Sequence, residues 1–275
     1  RKWRSLREKP DSQFLGIVLP RMLLRSPYRN DGSIQHRFNF EENTEGKDRR
    51  RYLWGSAAWG FATVIMRAFA TSGWFADIRG AERGVESGGL VTGLDTLSFG
   101  TDADGVADRI STEVAISDNR EAELCQLGFI PLSHCKGTTY SVFYSNQSVH
   151  EPEVFDDQVS TANARVSAML QYVMCCSRIA HYLKVKARDK VGSAANAREI
   201  ENDLGAWLVN YVTPDEKASP AMKARYPLRE AEVKVETAVG EPGKYHLTIR
   251  LLPHYQLDQL SSAVTFVARR MEFHD

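Results

Sequence analysis

The chain has 275 residues, 43% of them hydrophobic and 25% charged, with 35 Lys and Arg against 35 Asp and Glu. This is the composition of a soluble globular protein, with enough material for one large domain or two modest ones. Zero net charge speaks against nucleic-acid binding, which favours a basic face, and four cysteines exclude a disulfide scaffold and fit a reducing cytoplasm. The charge is unevenly placed: residues 1–73 carry 14 Lys/Arg against 7 Asp/Glu, residues 74–160 carry 5 against 15, and the rest 16 against 13. Opposite blocks in a neutral chain suit docking by charge complementarity, with solvated patches as the plainer alternative. A first residue of Arg1 reads as a fragment, a processed product or the ordered part of something longer. No signal peptide is visible, and the longest uncharged stretch, 53–66, is too short to span a bilayer.

In chain order, the apolar run 14–19, stopped by Pro20, reads as a buried strand, and a polar loop runs to Arg51. Residues 52–72 predict a helix closed by Gly73, apolar most of the way round and so buried on several sides. A strand is expected at 74–79, then a glycine-rich loop over 80–105 with one short strand, and another strand at 112–116. Asp118 with Glu121 has the pattern of a capping box opening a short helix, with Gly128 as its stop. Residues 140–143 read as a strand, and 161–191 as the longest helix. Asn196 and Glu199 form a second capping box, after which Ile200, Leu204, Trp207, Leu208 and Tyr211 share one helix face. Pro214 ends that helix, and 214–227 is a linker.

The last fifty residues alternate strictly. Ala231, Val233, Val235 and Thr237 lie on one side, with Glu232, Lys234 and Glu236 on the other. Gly240-Glu241-Pro242-Gly243 turns the chain, and Tyr245, Leu247, Ile249 and Leu251 resume the apolar side. A third apolar run covers Val264, Phe266 and Ala268. A hairpin is marginal alone, and these strands have no obvious body of their own to pack on. A terminal strand with free edges is a template for pairing with another chain. The pattern therefore reads as an arm built for assembly by strand exchange; an ordinary sheet completed within the chain is the alternative. Together these elements predict a mixed α/β (α+β) protein, with a body over 1–220 and a C-terminal β-arm over 221–275.

Signals for catalysis are weak. Cys175 and Cys176 precede His181 by six and five residues, off the three-or-four spacing that shares a helix face. His134, Cys135 and Cys125 lack the paired-cysteine spacing of a zinc site. Asp102, Asp104 and Glu113 evoke a calcium loop whose glycine falls at the wrong position. The glycines from 80 to 93 spell neither a dinucleotide fingerprint nor a phosphate loop, and Arg49-Arg50-Arg51 reads as solvated loop. No cofactor, metal or catalytic residue is expected.

Several segments, in collinear order, resemble the large subunit of the bacterial type VI secretion contractile sheath, the TssC/VipB family. They are FLGIVLPR (14–21), LRSPY (24–28), YLWGSAA (52–58), Gly73-Trp74, IRG (78–80), LGFIPL (127–132), SRIAHYLK (177–184), RDKVG (188–192), Trp207, Tyr211-Val212, PLR (227–229), Pro242-Gly243 and PHYQL (253–257). Departures stand at Ala81, Gln171, Lys244 and Asp258-Gln259. The resemblance implies a contractile-tail-sheath-like body with helices packed on a mixed sheet, a C-terminal hairpin and an exchanged terminal strand. It also implies that an N-terminal portion is missing, and with it the site for the AAA+ disassembly ATPase.

The implied partners are the small sheath subunit (TssB/VipA type), other copies in a helical polymer, the Hcp inner tube and the baseplate, with no nucleic acid and no membrane insertion. The implied role is structural and located in the bacterial cytoplasm. The expected exchange surface comprises Val233, Val235, Leu247 and Ile249 on the hairpin and Val264, Phe266 and Ala268 on the exchanged strand. Glu199, Glu201 and Asp203 are expected on a helix facing the inner tube. Rival readings are a phage-tail or other contractile-injection sheath subunit, and a cytoplasmic thiol enzyme using Cys176 and His181.

Overall fold

The structure, a computed structural model, describes residues 1–32, 40–44, 49–82, 84–98, 109–135, 137–191, 196–238, 245–254 and 266–267. Two units divide it: residues 1–67 with 78–150, and residues 68–77 with 151–275. Helices and several small sheets make it a mixed α/β protein. Positions 220 and 221 both lie inside the second unit.

The first unit runs through α1 (Lys2–Arg7), β1 (Val18–Leu19), β2 (Arg21–Leu23), β3 (Trp54–Ser56), most of α2 (Ala58–Ser72), β4 (Leu90–Val91), β5 (Leu97–Ser98), β6 (Arg109–Ile110), α3 (Asp118–Gln126), β7 (Ile130–Pro131), β8 (Ser133–His134) and β9 (Ser141–Val142). β1 and β7 are parallel; β2 with β3, β5 with β6, and β4-β9-β8 are antiparallel. Buried Arg7 is held by carbonyls, its Nε donating to Val149 O at 3.0 Å and Nη2 to Gln126 O at 2.8 Å. A buried cation is tolerable when its donors are met in this way.

Several local expectations yield to long-range pairing. Of the run 14–19 only Val18 and Leu19 pair, and Phe14 and Leu15 are exposed. The helix predicted over 52–72 starts at Ala58, because Trp54–Ser56 is drawn into a ladder with β2. It does end at Gly73, whose φ is +76°. It is not buried all round: Phe61 and Val64 are buried, whereas Trp59 is 70% exposed. Residues 74–79 form bends rather than a strand, and at 112–116 only Thr112 makes a single bridge, to Met22. The capping box at Asp118 is not formed; Ser117 precedes α3 without a side-chain cap, and Glu121 accepts from the Ser145 hydroxyl instead. The glycine-rich stretch serves packing: a Cβ on Gly89 would lie 2.1 Å from the Phe143 carbonyl oxygen.

The second unit contains α4 (Gln158–Ser167), α5 (Leu170–Val191), α6 (Ala197–Val209), α7 (Pro220–Arg225), β10 (Leu228–Thr237), β11 (Tyr245–Pro253) and β12 (Phe266–Val267). The helix expected over 161–191 is therefore two helices. Asp157 caps α4 by accepting from the Val159 and Ser160 amides, and α4 closes at Ala168. The linker expected over 214–227 holds the short α7. β10, β11 and β12 form one antiparallel sheet in that order.

The hairpin strands do have a body to pack on. Val233 faces Ile249 and Val235 faces Leu247 across the β10/β11 ladder. These four side chains share one core with Ile179 and Leu183 of α5 and Ile200, Leu204 and Leu208 of α6. Helices earlier in the chain thus cover the apolar face of the sheet.

Candidate assembly surface

The three-stranded sheet and the helix covering it bring together most of the residues expected to serve assembly. α6 is positioned by its N-terminus, where both halves of the capping box are present. The Glu199 amide donates to Asn196 Oδ1 at 2.9 Å, and the Asn196 amide donates to Glu199 Oε2 at 3.2 Å. Ile200, Leu204 and Leu208, one helical turn apart, are then directed onto the sheet. Val233, Val235, Leu247 and Ile249 meet them as core residues, and these four help hold the sheet's own body together.

β12 pairs with β11 in the same chain, Phe266 opposite Leu251 and Val267 opposite Arg250. Val264 and Ala268 lie outside the described residues. The expected acidic face of α6 is engaged inside the chain. Glu199 completes the capping box, and Asp203 Oδ2 lies 2.6 Å from Lys190 Nζ on α5. Glu201 Oε2 accepts the Val235 amide of β10 at 2.9 Å. A residue assigned to the inner tube and one assigned to the exchange sheet are therefore hydrogen-bonded partners.

Sequence reasoning passed over an aromatic cluster against α5. Arg178 lies over the rings of Trp74, Tyr182, Phe69 and Phe75, at 4.7, 5.5, 5.1 and 5.8 Å, and donates to Gly73 O at 2.5 Å. The signal was a lone cation four residues before Tyr182 on a largely apolar helix face.

His254 of the PHYQL segment directly follows β11. Its Nε2 is buried without a hydrogen-bond partner among the described residues, while its carbonyl accepts from Tyr172 Oη at 2.8 Å. Burial, followed by the charge of Lys223 and then that of Arg229, holds the imidazole below its ordinary pKa, against opposing hydrogen bonds to Thr213 and Leu228. The unfolded chain, titrating near about 6.5, takes up a proton that the folded one resists. Stability is thus independent of this group above that pH and is lost as pH falls below it toward the folded value. Thermal unfolding at pH 7.5 and 5.5 should show wild type losing more stability on acidification than His254→Gln. Equal losses would show that His254 does not titrate this way.

The thiols are poorly suited to nucleophilic catalysis. Burial pushes Cys175 up to about 12 and Cys176 upward as well, away from the thiolate, while His181 is exposed. Among the described residues no three His, Cys, Asp or Glu side chains converge as metal ligands. Glu113 of the rejected calcium pattern forms a two-pronged pair with Arg21, which holds its carboxyl below the usual carboxylate range. No helix among the described residues is long and apolar enough to cross a membrane.

Two family models match, and the gap between them lies near the change of unit at 150/151. Residues 1–150 match the EvpB/VC_A0108 tail sheath N-terminal domain, and residues 159–270 the EvpB/VC_A0108 tail sheath gpW/gp25-like domain. The chain belongs to the EvpB/VC_A0108 (VipB) tail-sheath family. This is a family of structural sheath proteins, and the resemblance drawn from the collinear segments is borne out. A curated relative, the type VI secretion system sheath protein TssC1 of Pseudomonas aeruginosa, is 44% identical over 268 residues. The match covers 97% of this chain and 53% of the relative, so the chain spans about half of that protein's length.

Proposed function

We propose that this chain acts as a structural, non-enzymatic subunit of the type VI secretion contractile sheath in the bacterial cytoplasm. It pairs with the small sheath subunit, and the heterodimers stack into a helical tube around an inner tube of Hcp that contraction propels. The baseplate completes the assembly, and the disassembly ATPase acts through a region outside this chain. The observation that carries this reading is the tail-sheath match over both units, together with 44% identity to a type VI sheath protein along 97% of the chain.

The segment 263–268 is the exchanged element, and the 231–251 hairpin receives it. Phe266 and Val267 pair with β11 within the single chain, and in the assembly a neighbour's copy takes the same register with no new complementarity. Three to five cross-strand pairs at about 0.2–1 kcal/mol each give about 0.6–5 kcal/mol per junction, weak singly but repeated at every subunit. The 221–275 arm is thus a mechanical unit even though its hairpin is packed as part of a larger one. Two lattice packings joined by the same links would permit contraction.

The inner-tube contact of α6 rests on Glu199 and Asp203, both exposed, since Glu201 is turned to β10. Asp203→Lys should weaken sheath assembly around the tube while tube-free assembly persists; equal effects on both would remove the contact.

Co-expression with the small sheath subunit, followed by electron microscopy, tests the function as a whole. Co-purification and hollow striated cylinders are expected. Assembly without the small subunit would point instead to a single-polypeptide sheath such as that of a phage tail.

A further inference from the structure

The sheet has two long edges, and the structure treats them differently. The β11 edge carries β12. On β10, the Val235 amide points away from β11, because it donates to Glu201 Oε2 rather than to the ladder. Backbone direction alternates along an antiparallel strand, so Ala231, Val233 and Thr237 also turn their amides and carbonyls outward. Such an edge, next to an exchange strand of matching character, is a template for wrong pairing.

Both ends of this edge are occupied by groups from the chain itself. At its start, Leu228 bridges Val212: the Thr213 amide donates to Leu228 O at 2.9 Å, and the Leu228 amide to Tyr211 O at 3.2 Å. Further along, the Glu201 carboxylate reaches from α6 and takes the position that the carbonyl of an added strand would occupy. Glu201 is half-buried, and α6 is fixed by its capping box and its three core residues, so this acceptor is presented by a rigid element.

We propose that Glu201 closes the outer edge of β10, restricting strand pairing to the β11 side of the sheet. The partner it excludes is a second copy of this chain, pairing edge to edge through β10. The inference rests on the exchange reading for its purpose but not for its test. Where strands are exchanged at every subunit, a one-sided sheet gives each subunit a single register and prevents branching. A carboxylate suits the task because it satisfies the amide yet offers no donor to an approaching strand, whereas a strand offers both donors and acceptors.

The test compares the full chain with Glu201→Ala and Glu201→Gln by sedimentation velocity and by amide exchange in β10. In Glu201→Ala the Val235 amide should exchange about tenfold faster or more, and concentration-dependent association should appear. Adding Thr237→Pro, which removes an outward donor without touching the β11 ladder, should reverse that association. Glu201→Gln retains a side-chain carbonyl acceptor and should associate no more than wild type, with slow exchange. Unchanged exchange and mass in Glu201→Ala would overturn the proposal, as would association of Glu201→Gln equal to that of the Ala variant. Repeating the comparison in a chain ending at residue 262 separates the two ideas. Association of Glu201→Ala there shows edge closure acting without the exchanged strand, and its loss there would overturn pairing through β10.

Discussion

A chain ending before Ala263 is expected to fold but to form no tubules with the small sheath subunit. The described part of β12 contributes only two cross-strand pairs, Phe266 with Leu251 and Val267 with Arg250. At about 0.2–1 kcal/mol per pair, these two pairs contribute no more than about 2 kcal/mol to the isolated chain. The core of α5, α6, β10 and β11 is left whole, so the thermal transition should move by only a few degrees. In a polymer the same deletion removes one link at every subunit. Electron microscopy of the co-expressed pair should show dispersed heterodimers. Full-length tubules from the truncated chain would mean that the terminal strand is no mechanical link, whatever the family of the protein.

Leu204→Ala is expected to cost about 3–5 kcal/mol, a large share of the roughly 5–15 kcal/mol by which domains are stable. Leu204 is 1% exposed, on the face of α6 that covers the hairpin. In the same core Leu183, Leu208, Val233 and Leu247 come from four different elements, so the space left by truncation cannot collapse by shifting one side chain. On the same helix Val209 is 68% exposed, and Val209→Ala should fall within about 0.5 kcal/mol. Denaturant midpoints of the two variants make the comparison directly. Similar small effects for both would mean that α6 does not cover the sheet in solution. Loss of the cover would also free Glu201 from β10, so the Leu204 variant should lose protection at the Val235 amide together with stability.

Much of the candidate surface is legible in the sequence. The alternation around Val233, Val235, Leu247 and Ile249 fixes a strand face because side chains two apart share it. Asn196 and Glu199 fix a helix start because each side chain meets the other's amide within four residues. Gly73 and Gly128 mark helix ends through left-handed backbone, with φ of +76° and +84°. Each of these signals is local, and its hydrogen bonds close within a turn or along one strand.

What they could not reveal is where an apolar face is buried. Whether the hairpin was covered by its own chain depended on α5 and α6, tens of residues earlier in sequence. The same holds for Trp54–Ser56, where pairing with β2 takes three residues from a strongly helical stretch. It holds too for Glu201, whose acidic neighbours make it look like solvent-facing charge until β10 is laid beside α6. Local chemistry determined which segments could be strands, caps and stops. Only the tertiary structure decided which edge is open and which is held shut, because a strand edge is defined by what pairs with it, and that partner is distant in the chain.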